Sequence, residues 1–331
     1  MRGHRLTAAV IGATGFIGRR LAPALVSGRI PVTCFTRRAP FLEADGLAPP
    51  LRTARVVYYL ATTVNPAIAE HSPDRITADH ELFSRLLGQL AALDCPPLVV
   101  LASSGGAVYD PDVAPPYAED APTRPASAYG AAKLALEEVL KQHGPGLPGV
   151  VLRLANVYGP GQRTGSGLGV IAHWLESAAD GRPLTILGDP RARRDYVYVD
   201  DVVAAMVRLY HLACPDQDGG PGATPAINIG SGVPTSLEEL RTLVEARTGC
   251  RRLAVEHAGA RKFDRRDVWL DTTYAAQVLK WRSQTALPDG ISRTWRALRA
   301  PSQANDWPPP VATVSTRTSL DRRLGILRIT I

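Results

Sequence analysis

Three glycines spaced three residues apart, Gly12, Gly15 and Gly18, follow the apolar run 8–11 and lead into the segment 16–26, which includes Gly18 and whose apolar residues have helical spacing. Glycine lets the backbone turn tightly, and the N–H groups at a helix N-terminus bind anions such as a pyrophosphate. This order of strand, glycine turn and helix is typical of a dinucleotide-binding fold, although alone it is weak evidence, because such a turn can be purely structural. We expect cofactor contacts at Gly12, Gly15, Phe16, Ile17 and Gly18.

Short apolar runs alternate with helical segments along the first half of the chain. Further strands are predicted at 31–35, 56–61, 98–102 and 149–154, and helices at 81–93 and 128–142. Such alternation, with right-handed crossovers, predicts an α/β fold with a Rossmann-type doubly wound parallel sheet. The predicted organisation is a dinucleotide-binding domain at 1–158, a smaller, mainly substrate-binding C-terminal region at 159–299 that is partly interleaved with it, and a poorly packed tail at 300–331.

The composition narrows the class of protein. The net charge of +7 comes almost entirely from arginines that are spread along the chain, with no aromatic-interleaved basic block, so no nucleic-acid partner is indicated. No apolar run approaches the roughly 18 residues of a membrane span, so we expect no membrane partner. The four cysteines lie far apart and form no CxxC pair, which predicts reduced thiols in a cytoplasmic protein and no metal site.

The end of the second predicted strand bears on the choice of cofactor. Many dinucleotide folds place an acidic residue here to hold the adenosine ribose, but this chain has Thr36, Arg37 and Arg38. An arginine pairs instead with a 2′-phosphate, so of NAD and NADP the sequence favours NADP through Arg37 and Arg38. The alternative is a solvated basic loop with no role in binding.

Tyr129 and Lys133 are four residues apart on a predicted helix and therefore share one face of it. We expect the lysine charge to lower the phenol pKa from about 10, which makes Tyr129 an acid/base near neutral pH. The alternative is a Tyr–Lys pair on the protein surface.

Six motifs occur in a fixed order along the chain, at 12–18, 102–109, 129–133, 152–161, 194–201 and 227–232. Together they resemble the extended short-chain dehydrogenase/reductases, in the branch of nucleotide-sugar epimerases and dehydratases. The resemblance extends from about residue 7 to residue 299 and is more specific for the superfamily than for the reaction.

The resemblance implies roles for individual residues. Tyr129 matches the family's acid/base, and Lys133 matches the residue that binds the cofactor ribose and tunes the tyrosine. Asn156 matches a position near the diphosphate of the substrate, and Arg194 and Arg261 match arginines that bind that diphosphate. Two surface arginines are the alternative for the last pair, because arginine is abundant in this chain.

The resemblance also implies a homodimer through the predicted helices at 81–93 and 128–142. The first of these has Leu82, Leu86, Leu90 and Leu93 on one face. Such a face is equally consistent with a dimer contact and with the core of a single chain.

The sequence departs from the family pattern in three places. The catalytic Ser or Thr usually stands four residues before the tyrosine that matches Tyr109, where this chain has Gly105, so Ser104 is the candidate, unless its hydroxyl only caps the strand end. The segment 39–55 is too short for the strand and helix usually found there, so we expect a sheet that lacks one strand. The tail after 299 matches nothing in the family.

The resemblance implies hydride transfer on a nucleotide-diphosphate sugar, and the leading prediction is an epimerase that acts at C4. Thr36, Arg37 and Arg38 favour an NADPH-dependent 4-ketoreductase of a nucleotide deoxysugar, because net reduction suits a dissociable cofactor. A dehydratase is disfavoured because Gly106 and Ala107 replace its two carboxylates. The remoter alternative, which Gly105 and the shortened segment favour, is a catalytically degraded module that senses the cofactor.

Overall fold

The structure, a computed structural model, describes residues 7–164, 169–213, 224–250, 253–260 and 264–300, and the backbone of three short strands beyond residue 312. The helices are α1 (Gly18–Ser27), α2 (Pro66–Ala69), α3 (Pro73–Ala91), α4 (Ala128–Gln142), α5 (Val170–Asp180), α6 (Val199–Leu212), α7 (Leu237–Thr248), α8 (Thr273–Val278) and α9 (Leu287–Arg299). The strands are β1 (Thr7–Ile11), β2 (Val32–Phe35), β3 (Leu42–Glu43), β4 (Gly46–Leu47), β5 (Ala54–Tyr59), β6 (Leu98–Ser104), β7 (Gly149–Leu154), β8 (Asn156–Tyr158), β9 (Leu184–Leu187), β10 (Arg193–Tyr198), β11 (Ala226–Ile229), β12 (Pro234–Ser236), β13 (Val255–Ala258), β14 (Asp267–Val268), β15 (Thr313–Val314), β16 (Ser319–Asp321) and β17 (Ile326–Arg328).

Six parallel strands form the central sheet in the order β11-β7-β6-β5-β1-β2, and β15 pairs with the edge of β2 in the antiparallel direction. β1 lies in the interior of the sheet, where Val10 pairs with Tyr58 on one side and with Cys34 on the other. The doubly wound parallel sheet predicted from the sequence is confirmed. β15 is not predicted from the sequence, because it lies in the tail, which contains no recognisable motif or periodicity.

A separate hydrophobic cluster covers each face of the sheet. Val10 belongs to the cluster that contains Leu25 of α1 and Met206 of α6, whereas Ile11, one residue later, belongs to the cluster that contains Phe83 of α3. Successive side chains of a strand point to opposite faces, which is why an uninterrupted apolar run is buried on both sides. The sheet is therefore the middle layer of three.

The chain passes from β2 to β5 without another strand in the sheet. Residues 39–55 form the small β3–β4 hairpin and a 3-10 turn at Pro49–Thr53, and the chain then enters the sheet again beside β1. The expectation of one strand fewer is confirmed. β2 is the last parallel strand, and Val32 pairs on its outer side with Val314 of β15.

Helix α3 begins eight residues before the predicted start at 81. Its first turns, 73–80, carry mostly polar residues, and the regular apolar spacing starts only at Leu82. Pro73 in the first turn and Asp74 beside the helix N-terminus stabilise this start without contributing to an apolar face. The leucines of the predicted apolar face, Leu82, Leu86, Leu90 and Leu93, pack within the chain, in or against the cluster around Phe83.

The second half of the chain contributes both to the sheet and to a smaller region beside it. β11 pairs with β7 and α6 packs on α1, whereas Trp174, Tyr198 and Trp295 belong to a third cluster between α5, α7 and α9. The domain bounds at 158 and 299 stay predictions, and most of the predicted tail 300–331 lies outside the described residues. No helix among the described residues is long and apolar enough to cross a membrane.

Candidate active site

The turn between β1 and α1 contains three glycines, and at two of them, Gly12 and Gly18, a side chain does not fit. Gly12 has φ of +88°, and a Cβ added there would lie 2.9 Å from the backbone nitrogen of Ala61. A Cβ at Gly18 would collide with the carbonyl oxygen of Gly12. The glycines therefore let the first turn of α1 pack closely against the ends of β1 and β5.

The first residues after this turn present free hydrogen-bond donors. Among the described residues, nothing accepts a hydrogen bond from the backbone N–H of Phe16 or Ile17, which precede α1 directly. Free N–H groups at a helix N-terminus are the donors that bind a pyrophosphate. These residues and the close approach at Gly12 fit a dinucleotide cofactor.

Arg37 and Arg38 follow β2 in an exposed turn. The Thr36 hydroxyl accepts hydrogen bonds from the backbone N–H groups of Arg38 and Ala39, both at 3.2 Å, which fixes the turn. Neither guanidinium forms a hydrogen bond or an ion pair with another described residue. Both charges are therefore accessible to an anion.

Tyr129, Lys133 and Ser104 come together at the carboxyl end of β6. Ser127 caps α4 by accepting a hydrogen bond from the Gly130 N–H at 3.0 Å, so that Tyr129 lies in the first turn. The Lys133 side chain is buried, its Nζ lies 5.8 Å from the centre of the Tyr129 ring, and it donates to the carbonyl of Ala102 at 3.3 Å. The side chain of Ser104, the last residue of β6, hydrogen-bonds to Tyr129.

The pKa of the phenol differs from the sequence-based expectation. Burial raises the pKa of Tyr129 to about 12, against a smaller lowering effect of the hydrogen bond with Ser104. The prediction that Lys133 lowers the pKa of Tyr129 is wrong for this structure, because the ammonium is directed to the Ala102 carbonyl rather than to the phenol. Burial lowers the pKa of Lys133 to about 8, opposed by the negative charges of Asp79 and Glu137.

Gly105 has a packing reason to be a glycine. A Cβ there would lie 2.7 and 2.8 Å from the two methyl carbons of Leu270. A serine at 105 therefore does not fit without a shift of Leu270, and Ser104 supplies the hydroxyl next to Tyr129.

Two of the three predicted substrate residues lie on neighbouring strands. Asn156 on β8 pairs with Tyr196 on β10, two residues after Arg194, and its Nδ2 donates to the carbonyl of Asp195 at 3.0 Å. The Arg194 guanidinium donates to the carbonyls of Arg265 and Arg266 at 2.5 and 3.0 Å, so it joins β10 to the segment before β14. Arg261 lies outside the described residues.

Asp195 holds this region together, a role that was not predicted from the sequence. Its carboxylate is buried and accepts hydrogen bonds from the Ser231 hydroxyl at 2.6 Å and from the backbone of Ser231, Gly232 and Leu270. Burial raises its pKa, whereas these hydrogen bonds lower it. Asp195 belongs to the motif at 194–201 and binds the end of the motif at 227–232. Its position within the first motif was the only sequence feature that could have indicated its role.

A groove of about 1670 Å³ runs along α1, α6 and α9. It is lined by Arg19, Asp200, Leu212 and Leu298 among others, and Tyr129, Lys133, Ser104 and Asn156 are not part of it. The residues with acid/base character therefore lie outside this groove, at the carboxyl end of the sheet.

Comparison with known families gives one match. The sequence profile of the NAD dependent epimerase/dehydratase family matches residues 8–230. That range contains the glycine turn, Ser104, the Tyr129–Lys133 pair, Asn156 and Arg194.

The similar proteins include enzymes named as epimerases and enzymes named as reductases. A UDP-glucose 4-epimerase of Mycolicibacterium smegmatis is 36% identical over 80% of this chain and 83% of its own length. A dTDP-4-dehydro-6-deoxyglucose reductase of Escherichia coli is 25% identical over 88% of this chain and 96% of its own length.

Two solved structures have the same fold. The UDP-glucose 4-epimerase of Thermotoga maritima with UDP-glucose superposes with a TM-score of 0.76 at 28% identity, over 89% of this chain and 99% of that one. The UDP-glucose 4-epimerase of Thermus thermophilus in complex with NAD superposes with a TM-score of 0.75 at 26% identity, over 90% of this chain and all of that one.

Proposed function

We propose that this chain, which belongs to the NAD dependent epimerase/dehydratase family, epimerises a nucleotide-diphosphate sugar at C4. The observation that carries this proposal is the cluster at the end of β6, where the Tyr129 phenol is hydrogen-bonded to Ser104 and the buried Lys133 ammonium lies 5.8 Å from the phenol ring. A phenol with an adjacent hydroxyl and a fixed positive charge is suited to exchange a proton with a sugar hydroxyl.

The residues of the chain divide this work. Tyr129, as the phenolate, takes the proton of the C4 hydroxyl and later returns it, and Ser104, which is hydrogen-bonded to Tyr129, orients that hydroxyl. The Lys133 ammonium donates to the Ala102 carbonyl in this structure, and its role in the reaction is to turn toward the phenol oxygen and stabilise the charge of the phenolate. The raised pKa of Tyr129 makes this stabilisation necessary, because the phenolate is disfavoured in the buried site.

The glycine turn fits the dinucleotide. Gly12 and Gly18 let the turn and the start of α1 pack closely on neighbouring backbone, and the N–H groups of Phe16 and Ile17, which have no acceptor among the described residues, would donate to the pyrophosphate. A nicotinamide held beside Tyr129 supplies the hydride acceptor and donor. Lys133 and Tyr129 hold the ribose end, as the family resemblance implies.

Recognition of the substrate is assigned to three residues. Asn156 and Arg194 lie on the paired strands β8 and β10, and Arg261 is added from the family resemblance. Guanidinium groups pair with diphosphate oxygens in a forked geometry, which suits a nucleotide-diphosphate sugar.

The second candidate is an NADPH-dependent 4-ketoreductase. The exposed guanidiniums of Arg37 and Arg38 favour it, because they are available for the 2′-phosphate of NADP. An epimerase returns its hydride to the same substrate and consumes no cofactor, whereas a reductase oxidises one NADPH per turnover.

The two candidates are separated by one assay. The protein is incubated with UDP-glucose, UDP-galactose or a dTDP-4-keto-6-deoxy sugar, with NAD or NADPH, and both sugar NMR and absorbance at 340 nm are followed. Interconversion of the C4 epimers with catalytic cofactor supports the epimerase, and stoichiometric loss of NADPH with the keto sugar supports the reductase. Cofactor binding without turnover of any sugar would instead support the cofactor-sensing module.

Tyr129→Phe is the matched control for this assay. It removes the hydroxyl and keeps the ring, so we expect turnover to fall by a factor of about 10² or more, and cofactor affinity to fall much less because Lys133 and the glycine turn are retained. Equal turnover of both proteins would remove Tyr129 from the mechanism. The homodimer and the cytoplasmic location stay predictions, to be checked by sedimentation and by cell fractionation.

A further inference from the structure

Four side chains from distant parts of the sequence stack on one another between α4 and the segment before β14. The Arg153 guanidinium lies 4.8 Å from the centre of the Tyr109 ring. The rings of Tyr109 and Tyr117 are parallel within 8°, and their centres are 5.0 Å apart. The Arg265 guanidinium lies 5.0 Å from the centre of the Tyr117 ring. These four residues form the Arg–Tyr stack.

The inner end of the Arg–Tyr stack is fixed to α4. Arg153 forms its ion pair with Glu137 at 2.8 Å, and Glu137 lies one turn after Lys133 on that helix. Arg153 also donates to the carbonyl of Glu119 at 3.1 Å. Because the ion pair is buried, the inner end of the stack has a fixed position relative to α4.

The outer end of the Arg–Tyr stack is fixed to the segment before β14. The Arg265 guanidinium donates to the carbonyls of Tyr109 and Asp110, both at 3.1 Å, and to the Tyr117 hydroxyl. The backbone carbonyl of Arg265 accepts a hydrogen bond from the Arg194 guanidinium at 2.5 Å. Arg265 therefore connects the stack, through its side chain, to Arg194, through its backbone.

Hydrogen bonds hold the two rings of the stack in place. The Tyr109 hydroxyl donates to Oδ1 of Asn228 at 2.6 Å, and Nδ2 of Asn228 donates to the Tyr117 carbonyl at 2.9 Å. The same carbonyl accepts from the N–H of Asp271 at 2.8 Å, and the Tyr117 N–H donates to the carbonyl of Trp269 at 3.0 Å. Tyr117 is therefore connected to the chain both before and after β14.

We propose that Tyr117 is a positioning residue for the substrate, which holds Arg265 and thereby the Arg194 guanidinium at a fixed place relative to α4. The proposal rests on the proposed function, because it concerns recognition of the diphosphate in that same site. The C4 hydroxyl and the diphosphate of one substrate must be bound at the same time, by Tyr129 on α4 and by Arg194 on β10. A rigid connection between these two elements reduces the ordering that substrate binding otherwise requires.

The test measures the binding of UDP and dTDP by isothermal titration calorimetry and needs no turnover. Tyr117→Leu removes the ring and with it both stacking contacts, so we expect the dissociation constant of the better-bound nucleotide to increase about tenfold. Tyr117→Phe keeps the ring, so we expect an affinity within about threefold of that of the unaltered protein. The affinity for NADH is expected to be unchanged in both variants, because the glycine turn is not part of the stack.

Tyr210→Leu is the matched control. Tyr210 is buried to the same extent as Tyr117, but it belongs to the cluster around α1 and α6. We expect this variant to lose stability without a change in nucleotide affinity.

Arg265→Lys separates position from charge. It keeps the positive charge, but an ammonium does not reproduce the forked contacts with the carbonyls of Tyr109 and Asp110 or the stacking on Tyr117. We expect the dissociation constant to increase by about fivefold or more. If Tyr117→Leu does not fold, this variant takes its place in the test.

An unchanged nucleotide affinity of Tyr117→Leu would overturn the proposal even if the protein epimerises sugars. An equal loss of affinity in Tyr210→Leu, or no binding of UDP and dTDP to the unaltered protein, would also overturn it. A loss confined to Tyr117→Leu and Arg265→Lys would support it even if no tested sugar is turned over, so its failure is distinguishable from that of the proposed function.

Where turnover is present, the kinetic constants give a second readout. Tyr117→Leu is expected to raise KM about tenfold and to leave kcat within about twofold, because Tyr129, Lys133 and Ser104 are retained. A fall in kcat with an unchanged KM would contradict a role in positioning the substrate.

Discussion

Arg153 and Glu137 form a buried ion pair with 2.8 Å between Nη2 and Oε2, and their side chains are 3% and 0% exposed. The pair joins β7 to α4, and the hydrogen bond from Ser103 to Glu137 adds β6. The same helix face carries Lys133 one turn earlier, so this pair fixes α4 against the sheet at the height of the candidate active site.

Removing one partner of this pair leaves the other charge buried and unpaired. We therefore expect Glu137→Ala to lower the free energy of unfolding by about 3–5 kcal/mol, measured by urea denaturation. The control is the neighbouring Glu138→Ala, whose carboxylate pairs with Lys141 at the surface and contributes at most about 1 kcal/mol. Equal effects of the two variants would mean that the pair is not what fixes the helix.

Gly105 and Gly106 allow a matched comparison within one turn. A Cβ at 105 meets the Leu270 methyl carbons at 2.7 and 2.8 Å, whereas at 106 the nearest atom is a Val268 methyl at 3.9 Å. We expect Gly105→Ala to destabilise the protein by about 1–3 kcal/mol and Gly106→Ala to be nearly neutral, measured as urea midpoints. Similar stability of both variants would show that Leu270 moves aside at little cost.

The sequence predicted those parts of the molecule that depend on local spacing. The glycine turn, the alternating strands and helices, and the pairing of Tyr129 with Lys133 each follow from residues fewer than eight positions apart. Ser104 was the candidate for the catalytic hydroxyl only as the neighbour of Gly105, which occupies the family position, and its contact with Tyr129 was not predicted. The reason for that glycine is Leu270, which is 165 residues away in the chain and near it only in the fold.

The other differences between the sequence-based predictions and the structure also arise from contacts between segments that are distant in the chain. The pKa of Tyr129 depends on how deeply α4 is buried and on where the Lys133 side chain points, which its spacing along a helix does not determine. The first turns of α3, which begins at Pro73, are mostly polar, so no apolar period indicated a helix there.

The lowered pKa of Lys133 makes stability depend on pH. The folded protein binds this proton more weakly, with a pKa of about 8, than the unfolded chain, whose value is 10.5. Between these values the unfolded chain holds more protons, so the Lys133 contribution to stability increases as pH rises from about 8 to 10. Below pH 8 the cost of burying the charge is present in full.

This sign is checked by comparison with Lys133→Met. Urea unfolding of both proteins at pH 7, 8, 9 and 9.5 gives the difference in free energy of unfolding, in which the titrations shared by the two proteins cancel. We expect the free energy of unfolding of the unaltered protein to increase relative to that of the variant as pH increases through this range. A constant difference would mean that Lys133 has an ordinary pKa in the folded protein.

The exposed turn after β2 predicts the choice of cofactor. Arg37 and Arg38 have no charged partner among the described residues, so an NADPH 2′-phosphate can pair with them without breaking an existing contact. Charge-assisted hydrogen bonds of this kind contribute about 1.5–3 kcal/mol, so we expect Arg37→Ala/Arg38→Ala to weaken NADPH binding by about tenfold or more.

NADH lacks that phosphate and should bind the double variant as it binds the unaltered protein. The affinities of the unaltered protein and of the double variant for NADPH and for NADH are measured by nicotinamide fluorescence at two salt concentrations. The NADPH preference of the unaltered protein is expected to decrease at high salt, because exposed charges are screened. Equal affinity of the unaltered protein for both cofactors would instead identify the turn as a solvated basic loop, and the absence of an NADPH preference would then favour the epimerase over the ketoreductase.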